Sequence, residues 1–228
     1  MRRLRRVDIL LFFIGIGLLA YLFLSLFPVR TTSAQKTDCL PTKESPLIID
    51  SKKRCVLLYA VVSENLKTST HFGVVFKDGK LADKALFRAY VSPMEFHDAL
   101  LAIGMRPGDN LTSVSKGKYV EGDPLDVTVT WPGLNKEFPL KEILTDSGGK
   151  GFQIKFGGNR TASAAENSGC LTCLESCWVG ITSNAAYPMT GALKRFFSPN
   201  SEFSINRNVI QARGGGPVIL IYRAATGN

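Results

Sequence analysis

The sequence predicts an α+β domain with a largely antiparallel sheet and one well-capped helix, preceded by a single N-terminal transmembrane helix. Three features carry this prediction: a long apolar run at the N-terminus, several short β-rich runs between turn residues, and one strong helix signal. A mixture of many strands and few helices, not alternating along the chain, is typical of α+β proteins.

The N-terminal segment predicts the compartment of the rest of the chain. Residues 9–27 form an apolar run, and at ~1.5 Å per residue this run is long enough to span a hydrocarbon core. Four arginines precede it and one follows, which predicts a single-pass protein of the inner (plasma) membrane with a cytoplasmic N-terminus. Cleavage after Ala34 is the alternative, but the run is longer than a signal-peptide core, which favours an uncleaved signal-anchor.

Composition divides the chain into four parts. Residues 1–8 are a basic cytoplasmic tail, residues 9–27 the transmembrane anchor, residues 28–46 a polar tether and residues 47–228 an extracytoplasmic (periplasmic) domain. Nearly half of the formal net charge of +9 lies before the domain, so the domain itself is not unusually basic. Without an Arg/Lys stripe interleaved with aromatic residues, nucleic acid is not a predicted partner. The predicted partners are the membrane and a membrane or extracytoplasmic protein.

Strands are predicted wherever β-branched and aromatic residues cluster between turn residues. These runs are residues 47–49, 55–62, 72–76, 85–91, 125–131, 152–156, 178–182 and 218–222. The polar segment 77–80 predicts a hairpin turn between the third and fourth strands. Strict alternation in residues 125–131 predicts a strand with one buried face.

The clearest helix begins after Ser92. Ser92-Pro-Met-Glu95 predicts a capping box with proline at the first helical position, and Gly104 supplies the stop. Apolar residues recur at helical spacing between them.

Several pieces of the chain resemble the YdjY-like domain family. They are residues 59–62, 85–93, 96–108, 127–131, 156–158 and 216–222, so the resemblance covers roughly residues 47 to 223. The helix carrying His97 is its most specific part. The resemblance implies a small extracytoplasmic unit whose activity is not established. Where relatives often carry a His-Glu pair, this chain has Asp83 and Lys84, so a role based on that pair is not carried over.

The segment 168–180 is where chemistry is expected, because it holds Cys170, Cys173 and Cys177. Residues 161–177 are predicted either as a helix that runs into the cysteines or as a loop. In a helix, the spacing would place all three sulfur atoms on one face.

Three interpretations of these thiols stay open. The first is one disulfide plus one buried, inert cysteine, with no cofactor. The second is a zinc or iron–sulfur site with three thiolate ligands, which lacks an evident fourth ligand because His71 and His97 are the only histidines. The third is thiol–disulfide exchange. We expect His97 to be a hydrogen-bonded residue at the core boundary and His71 to be solvated.

The remaining cysteines, Cys39 and Cys55, are a candidate disulfide. Such a bond would tie the tether to the sheet and stabilise the fold by about 3 kcal/mol.

The sequence favours a membrane-anchored extracytoplasmic accessory or interaction domain without catalytic residues. It contains no Gly-x-Ser-x-Gly motif, no Walker loop and no dinucleotide-binding fingerprint. The alternative is a redox or metal protein that uses Cys170, Cys173 and Cys177.

Overall fold

The computed structural model describes residues 40–64, 70–190, 202–210 and 216–225, and these are built mainly of strands. The strands are β1 (Leu47–Asp50), β2 (Cys55–Val62), β3 (Phe72–Phe76), β4 (Phe87–Ala89), β5 (Pro124–Thr130), β6 (Phe138–Pro139), β7 (Leu144–Asp146), β8 (Ile154–Phe156), β9 (Cys170–Cys173), β10 (Thr182–Asn184), β11 (Phe203–Ile205) and β12 (Pro217–Ala224). The α-helices are α1 (Pro93–Ala102), α2 (Leu140–Ile143), α3 (Arg160–Glu166) and α4 (Arg207–Ile210).

Eight of the strands form a closed sheet. Their order is β2-β12-β5-β8-β10-β9-β3-β4, and β4 pairs back onto β2 to complete the ring. β1 and β6 extend the sheet at β2 and β5, while β7 and β11 form a separate two-stranded sheet. Closure leaves the ring without unpaired edges, because every one of its strands has a neighbour on each side.

The predicted α+β fold class is wrong. The described chain is a closed sheet with few and mostly short helices, rather than a largely antiparallel sheet with one capped helix. The β-rich runs mark where strands form, but closure depends on β4 pairing with β2, and no sequence pattern reports that pairing. The predicted transmembrane helix, residues 9–27, lies outside the described residues. Within them, no helix has the length and apolar character needed to cross a membrane.

The predicted hairpin at residues 77–80 is also wrong, because β3 and β4 pair in parallel. Parallel neighbours need a crossover connection rather than a tight turn. Here residues 77–86, which we call the crossover, make that connection through one turn of 3-10 helix at Ala82–Lys84. The crossover therefore packs against the sheet, with Ala82 and Ala85 in contact with the cluster that contains Phe72 and Val75.

The helix signal at Ser92 is confirmed. The Ser92 hydroxyl accepts from the Glu95 amide, and the Glu95 carboxylate accepts from the Ser92 amide at 2.9 Å. This local exchange needs no tertiary contact, which is why the sequence alone predicts it. The buried face of α1 packs on the closed sheet, with the ring of Phe96 4.8 Å from that of Tyr222.

The main core contains the inward side chains of the closed sheet together with the buried face of α1. The residues of β12 from Val218 to Tyr222 are all buried, and they alternate between the main core and a smaller cluster that contains Cys55. β5 alternates as predicted, with Leu125, Val127 and Val129 buried and Asp126 exposed. The strand at the end of the chain thus lies between two strands made much earlier, β2 and β5.

Candidate thiol site

Cys170 and Cys173 stand at the two ends of β9, and both are fully buried. In a regular strand, residues three apart face opposite sides of the sheet. The register of β9 on β3 changes between them, which leaves Leu171 as an extra residue. As a result, both cysteines join one small cluster with Phe72, Val75, Ala82 and Ala85, whereas Leu171 belongs to the main core.

The crossover covers this cluster. Its residues Ala82 and Ala85 pack inside the cluster and Leu81 packs against it. A close approach of two glycines holds the crossover down, since a Cβ on Gly79 would come 2.6 Å from the Cα of Gly169. The Lys80 Nζ also donates to the carbonyl of Glu166 at 2.9 Å.

Cys177 follows β9 in a loop and is partly exposed, unlike the other two cysteines of the segment. Its pKa is lowered because the Cys173 thiol and the backbone N–H groups of Val179 and Gly180 donate to its sulfur. These donors outweigh burial and the nearby Glu175 carboxylate, which both act in the opposite direction.

The Cys173 thiol has the opposite character. Its hydrogen bonds with Cys170 and Cys177, together with burial, raise its pKa well above the usual range. Gly180 lies directly against it, because a Cβ there would come 2.9 Å from Cys173 Sγ. The cluster therefore pairs one sulfur that favours the thiolate with a neighbour that keeps its proton.

Asn159 holds the turn that donates to Cys177. Its Nδ2 donates to the carbonyls of Cys177 at 3.0 Å and Gly180 at 3.1 Å, so one side chain spans both ends of the turn. Asn159 is itself buried, and its backbone N–H donates to Asp109 Oδ1 at 2.7 Å. Sequence reasoning missed this residue, because its partners lie far along the chain.

Ser176 fixes the other side of the loop. Its Oγ accepts from the amide of Val120 at 2.9 Å, and its own amide donates to the carbonyl of Tyr187 at 3.1 Å. The adjacent Glu175 is buried and accepts from Thr190 Oγ1 at 3.1 Å. The backbone on both sides of Cys177 is thus held by buried hydrogen bonds.

The predicted helical arrangement of the cysteines is not found. α3 ends at Glu166, and the cysteines lie on a strand and the loop after it. The strand irregularity and the loop bring the three thiols together, which is a tertiary solution that spacing alone does not reveal.

The two histidines differ from each other. His97 is buried, lies 3.2 Å from Asp98 Oδ1 through Nδ1 and packs on Phe156, as predicted for a core-boundary residue. The prediction that His71 is solvated is wrong, because the residue is only partly exposed and its Nε2 atom is buried. Burial, followed by the nearby Lys84, lowers the pKa of His71 to about 3.

No group of three or more His, Cys, Asp and Glu within the described ranges is arranged to hold a metal ion. Cys173 lies against both Cys170 and Cys177, but the three thiols are not arranged as a set of metal ligands. Zinc or an iron–sulfur cluster on Cys170, Cys173 and Cys177 therefore stays a prediction.

The candidate disulfide between Cys39 and Cys55 also stays a prediction, since Cys39 lies outside the described residues. Cys55 is buried, and burial raises its pKa. Leu40, the neighbour of Cys39, packs against the cluster that contains Cys55.

The fold and the site together define a small closed-sheet β domain in which the crossover covers Cys170 and Cys173 and Cys177 packs beside them. A family model described as the YdjY domain matches residues 47–223. The uncharacterized protein YdjY of Escherichia coli (strain K12) is 39% identical over 156 residues, which is 68% of this chain and 69% of that protein. The chain therefore belongs to the YdjY domain family, as its sequence motifs indicate. No solved structure matches it.

Proposed function

We propose that this protein is a membrane-anchored extracytoplasmic thiol protein that exchanges electrons with partner disulfides through Cys177 and Cys173. The observation that carries the proposal is the packing of buried Cys173 against Cys177, a partly exposed residue, together with the lowered pKa of the Cys177 thiol. A nucleophilic thiol needs access and thiolate character, and a resolving thiol must lie within reach of it.

The exchange proceeds in two balanced steps. The Cys177 thiolate attacks one sulfur of the partner's disulfide, a Cys177–partner bond forms, the partner's S–S bond breaks, and the leaving thiolate takes a proton from water. Cys173 then gives its proton to water and attacks Cys177 Sγ, forming the Cys173–Cys177 disulfide and releasing the second partner thiolate. Two electrons pass from the cysteine pair to the partner, and the reverse sequence oxidises a partner dithiol.

The anchor predicted at residues 9–27 supports this role, because it would place the thiols outside the cytoplasm. Disulfides form and persist there, so partner proteins that carry disulfides are available. An accessory or interaction domain, which the sequence favours, would need no reactive thiol. The lowered pKa of Cys177 is the observation that favours exchange over that function.

The test is a redox titration of the full chain, purified without oxygen and equilibrated with mixtures of oxidised and reduced dithiothreitol. Peptide mass spectrometry is expected to find a Cys173–Cys177 disulfide that forms and disappears at one potential. The Cys177→Ser and Cys173→Ser variants are expected to lose it. The Cys170→Ser variant keeps both reacting sulfurs and is expected to retain the disulfide at an altered potential.

Metal analysis of the same samples separates the other interpretations. One zinc ion or one iron–sulfur cluster per chain, lost in Cys173→Ser, would replace the exchange function with the metal site that the sequence left open. A chain with neither metal nor a reversible disulfide would leave the accessory function.

A further inference from the structure

The loop of residues 110–121, which we call the docking loop, exposes apolar side chains on a fixed backbone. Val114 is 87% exposed and Tyr119 is 48% exposed, which makes them two of the four exposed large hydrophobic residues in the described ranges. Lys116 and Lys118 are exposed beside them. Scattered exposed apolar residues need no explanation, but here two lie five residues apart on one loop, with two exposed lysines between them and the exposed Glu121 at the loop's end.

The docking loop is held in place by hydrogen bonds at several points. Ser115 is buried, and its Oγ accepts from the amide of Thr112 at 3.0 Å. Asn110 bridges the ends of the loop, since its Nδ2 donates to the Tyr119 carbonyl and its Oδ1 accepts from the Glu121 amide. A loop whose conformation is fixed in advance loses little entropy when a partner binds.

The docking loop also adjoins the thiol site. The amide of Val120 donates to Ser176 Oγ at 2.9 Å, and Ser176 is the residue before Cys177. Met189 also holds the docking loop, since its carbonyl accepts from the Gly117 amide and its amide donates to the Lys118 carbonyl, both at 2.8 Å. Exposed Val114 and Tyr119 therefore lie on a loop that is hydrogen-bonded to the side chain of Ser176, the residue before Cys177.

We infer that the docking loop binds the disulfide-bearing partner of Cys177, and that this partner is a protein with acidic and apolar residues beside its disulfide. The inference rests on the proposed exchange function. Val114 and Tyr119 supply apolar anchors, and tyrosine is well suited to this because it buries a large area at low entropic cost. Lys116 and Lys118 select acidic partners and raise the rate of encounter.

The probes are two cystine peptides of equal length, each with one intramolecular disulfide beside leucines, flanked by glutamates in one and by lysines in the other. The rate at which each oxidises the reduced full chain is measured at low ionic strength. We expect the glutamate peptide to react faster. In Lys116→Glu/Lys118→Glu the ratio of the two rates is expected to fall about tenfold, and less at high salt.

The matched control is Lys52→Glu/Lys53→Glu, which makes the same charge change in the exposed turn before β2. It is expected to leave the ratio unchanged. Val114→Ser/Tyr119→Ser is expected to slow the glutamate peptide several-fold while its advantage over the lysine peptide persists. Thermal melting of every variant establishes that the fold is kept.

The outcomes separate the docking inference from the exchange function. If neither peptide nor oxidised dithiothreitol forms the Cys173–Cys177 disulfide, the exchange function fails. If the disulfide forms but the ratio of the two peptide rates is the same in Lys116→Glu/Lys118→Glu as in the unaltered chain, only the docking inference fails. If the unaltered chain is a dimer in solution and the loop variants are monomers, the docking loop binds a second copy and the docking inference fails. Hydrogen exchange of the loop amides is also measured with phosphatidylglycerol nanodiscs. If the nanodiscs protect these amides, and Lys116→Glu/Lys118→Glu removes that protection, the docking loop binds lipid and the docking inference fails.

Discussion

At the scale of single residues, Asn159 is the side chain on which the character of Cys177 depends most. Its Nδ2 bonds go to backbone carbonyls, and they tie together the two ends of the turn that donates to Cys177. It is therefore a positioning residue, and its effect should appear in the pKa of the thiol.

In Asn159→Ala, the turn loses both side-chain hydrogen bonds, and the amides of Val179 and Gly180 are no longer held toward the sulfur. We expect the pKa of Cys177 to rise toward the ordinary value of a thiol. The thiolate fraction at neutral pH falls with it, so alkylation by iodoacetamide slows near pH 7 and recovers at high pH. The measurement is the midpoint of the alkylation rate against pH, read on the Cys177 peptide.

The control for that experiment is Asn206→Ala, which also removes an Nδ2 bond to a carbonyl, that of Glu142 at 3.0 Å. A general loss of stability would lower the melting temperature in both variants. Only the positioning role shifts the midpoint in Asn159→Ala alone, and an unshifted midpoint there contradicts it.

Single residues also show what the sequence could predict. Cys170, Cys173 and Cys177 are recognisable because three thiols close together in sequence are chemically unusual. Asn159 looks like any asparagine, since its partners are Cys177 and Gly180, and only folding brings them near. His71 was misplaced for the same reason, because its burial is set by packing rather than by its polar neighbours in sequence.

At the scale of elements, the crossover decides which thiols are accessible. It covers Cys170 and Cys173 and leaves Cys177 partly exposed. The contact between Gly79 and Gly169 is the closest point of that cover, because neither residue has a side chain to keep the backbones apart.

We expect Gly79→Ala to lift the crossover, because the added methyl would overlap the Cα of Gly169. Cys170 and Cys173 should then react with maleimide about tenfold faster, since a local opening becomes cheaper by about 1.4 kcal/mol. Peptide mass spectrometry gives the rate for each cysteine.

Gly133→Ala is the comparison, since a Cβ at Gly133 meets open space. Its cost comes from backbone strain at a positive φ of 83°, and it should not expose the buried thiols. Equal rates at Cys170 in Gly79→Ala and the unaltered chain would show that the crossover does not control access.

Elements differ in how well the sequence predicts them. α1 was predicted to within a residue or two because its capping box is local. The link from β3 to β4 was predicted as a hairpin, since residues 77–80 have turn chemistry. The choice between a hairpin and a parallel crossover is decided by where β4 finds its partners, β2 and β3, and that is a tertiary matter.

At the scale of the whole molecule, β12 makes the two longest strand pairings of the closed sheet. It pairs with β2 along seven residues and with β5 along six. The individual strands were foreseeable from composition, but the order of strands around the ring was not, because it is fixed by contacts between residues far apart in sequence.

A chain that ends at residue 216 lacks β12 and leaves β2 and β5 with unpaired edges. We expect it to lose the cooperative melting transition and to aggregate, because open hydrophobic strand edges pair between molecules. A chain that ends at residue 225 keeps β12 and should melt as the full chain does. Circular dichroism during heating provides the measurement, and a sharp transition in the shorter chain would contradict the expectation.

The position of β12 has a consequence for biosynthesis. Its partners β2 and β5 emerge from the ribosome well before it, so the nascent chain holds a gap in the ring until β12 has been made. The cysteines of β9 are also made before that gap is filled. They therefore meet the surrounding redox buffer first as thiols of an incomplete fold, and only afterwards as the enclosed cluster of the finished domain.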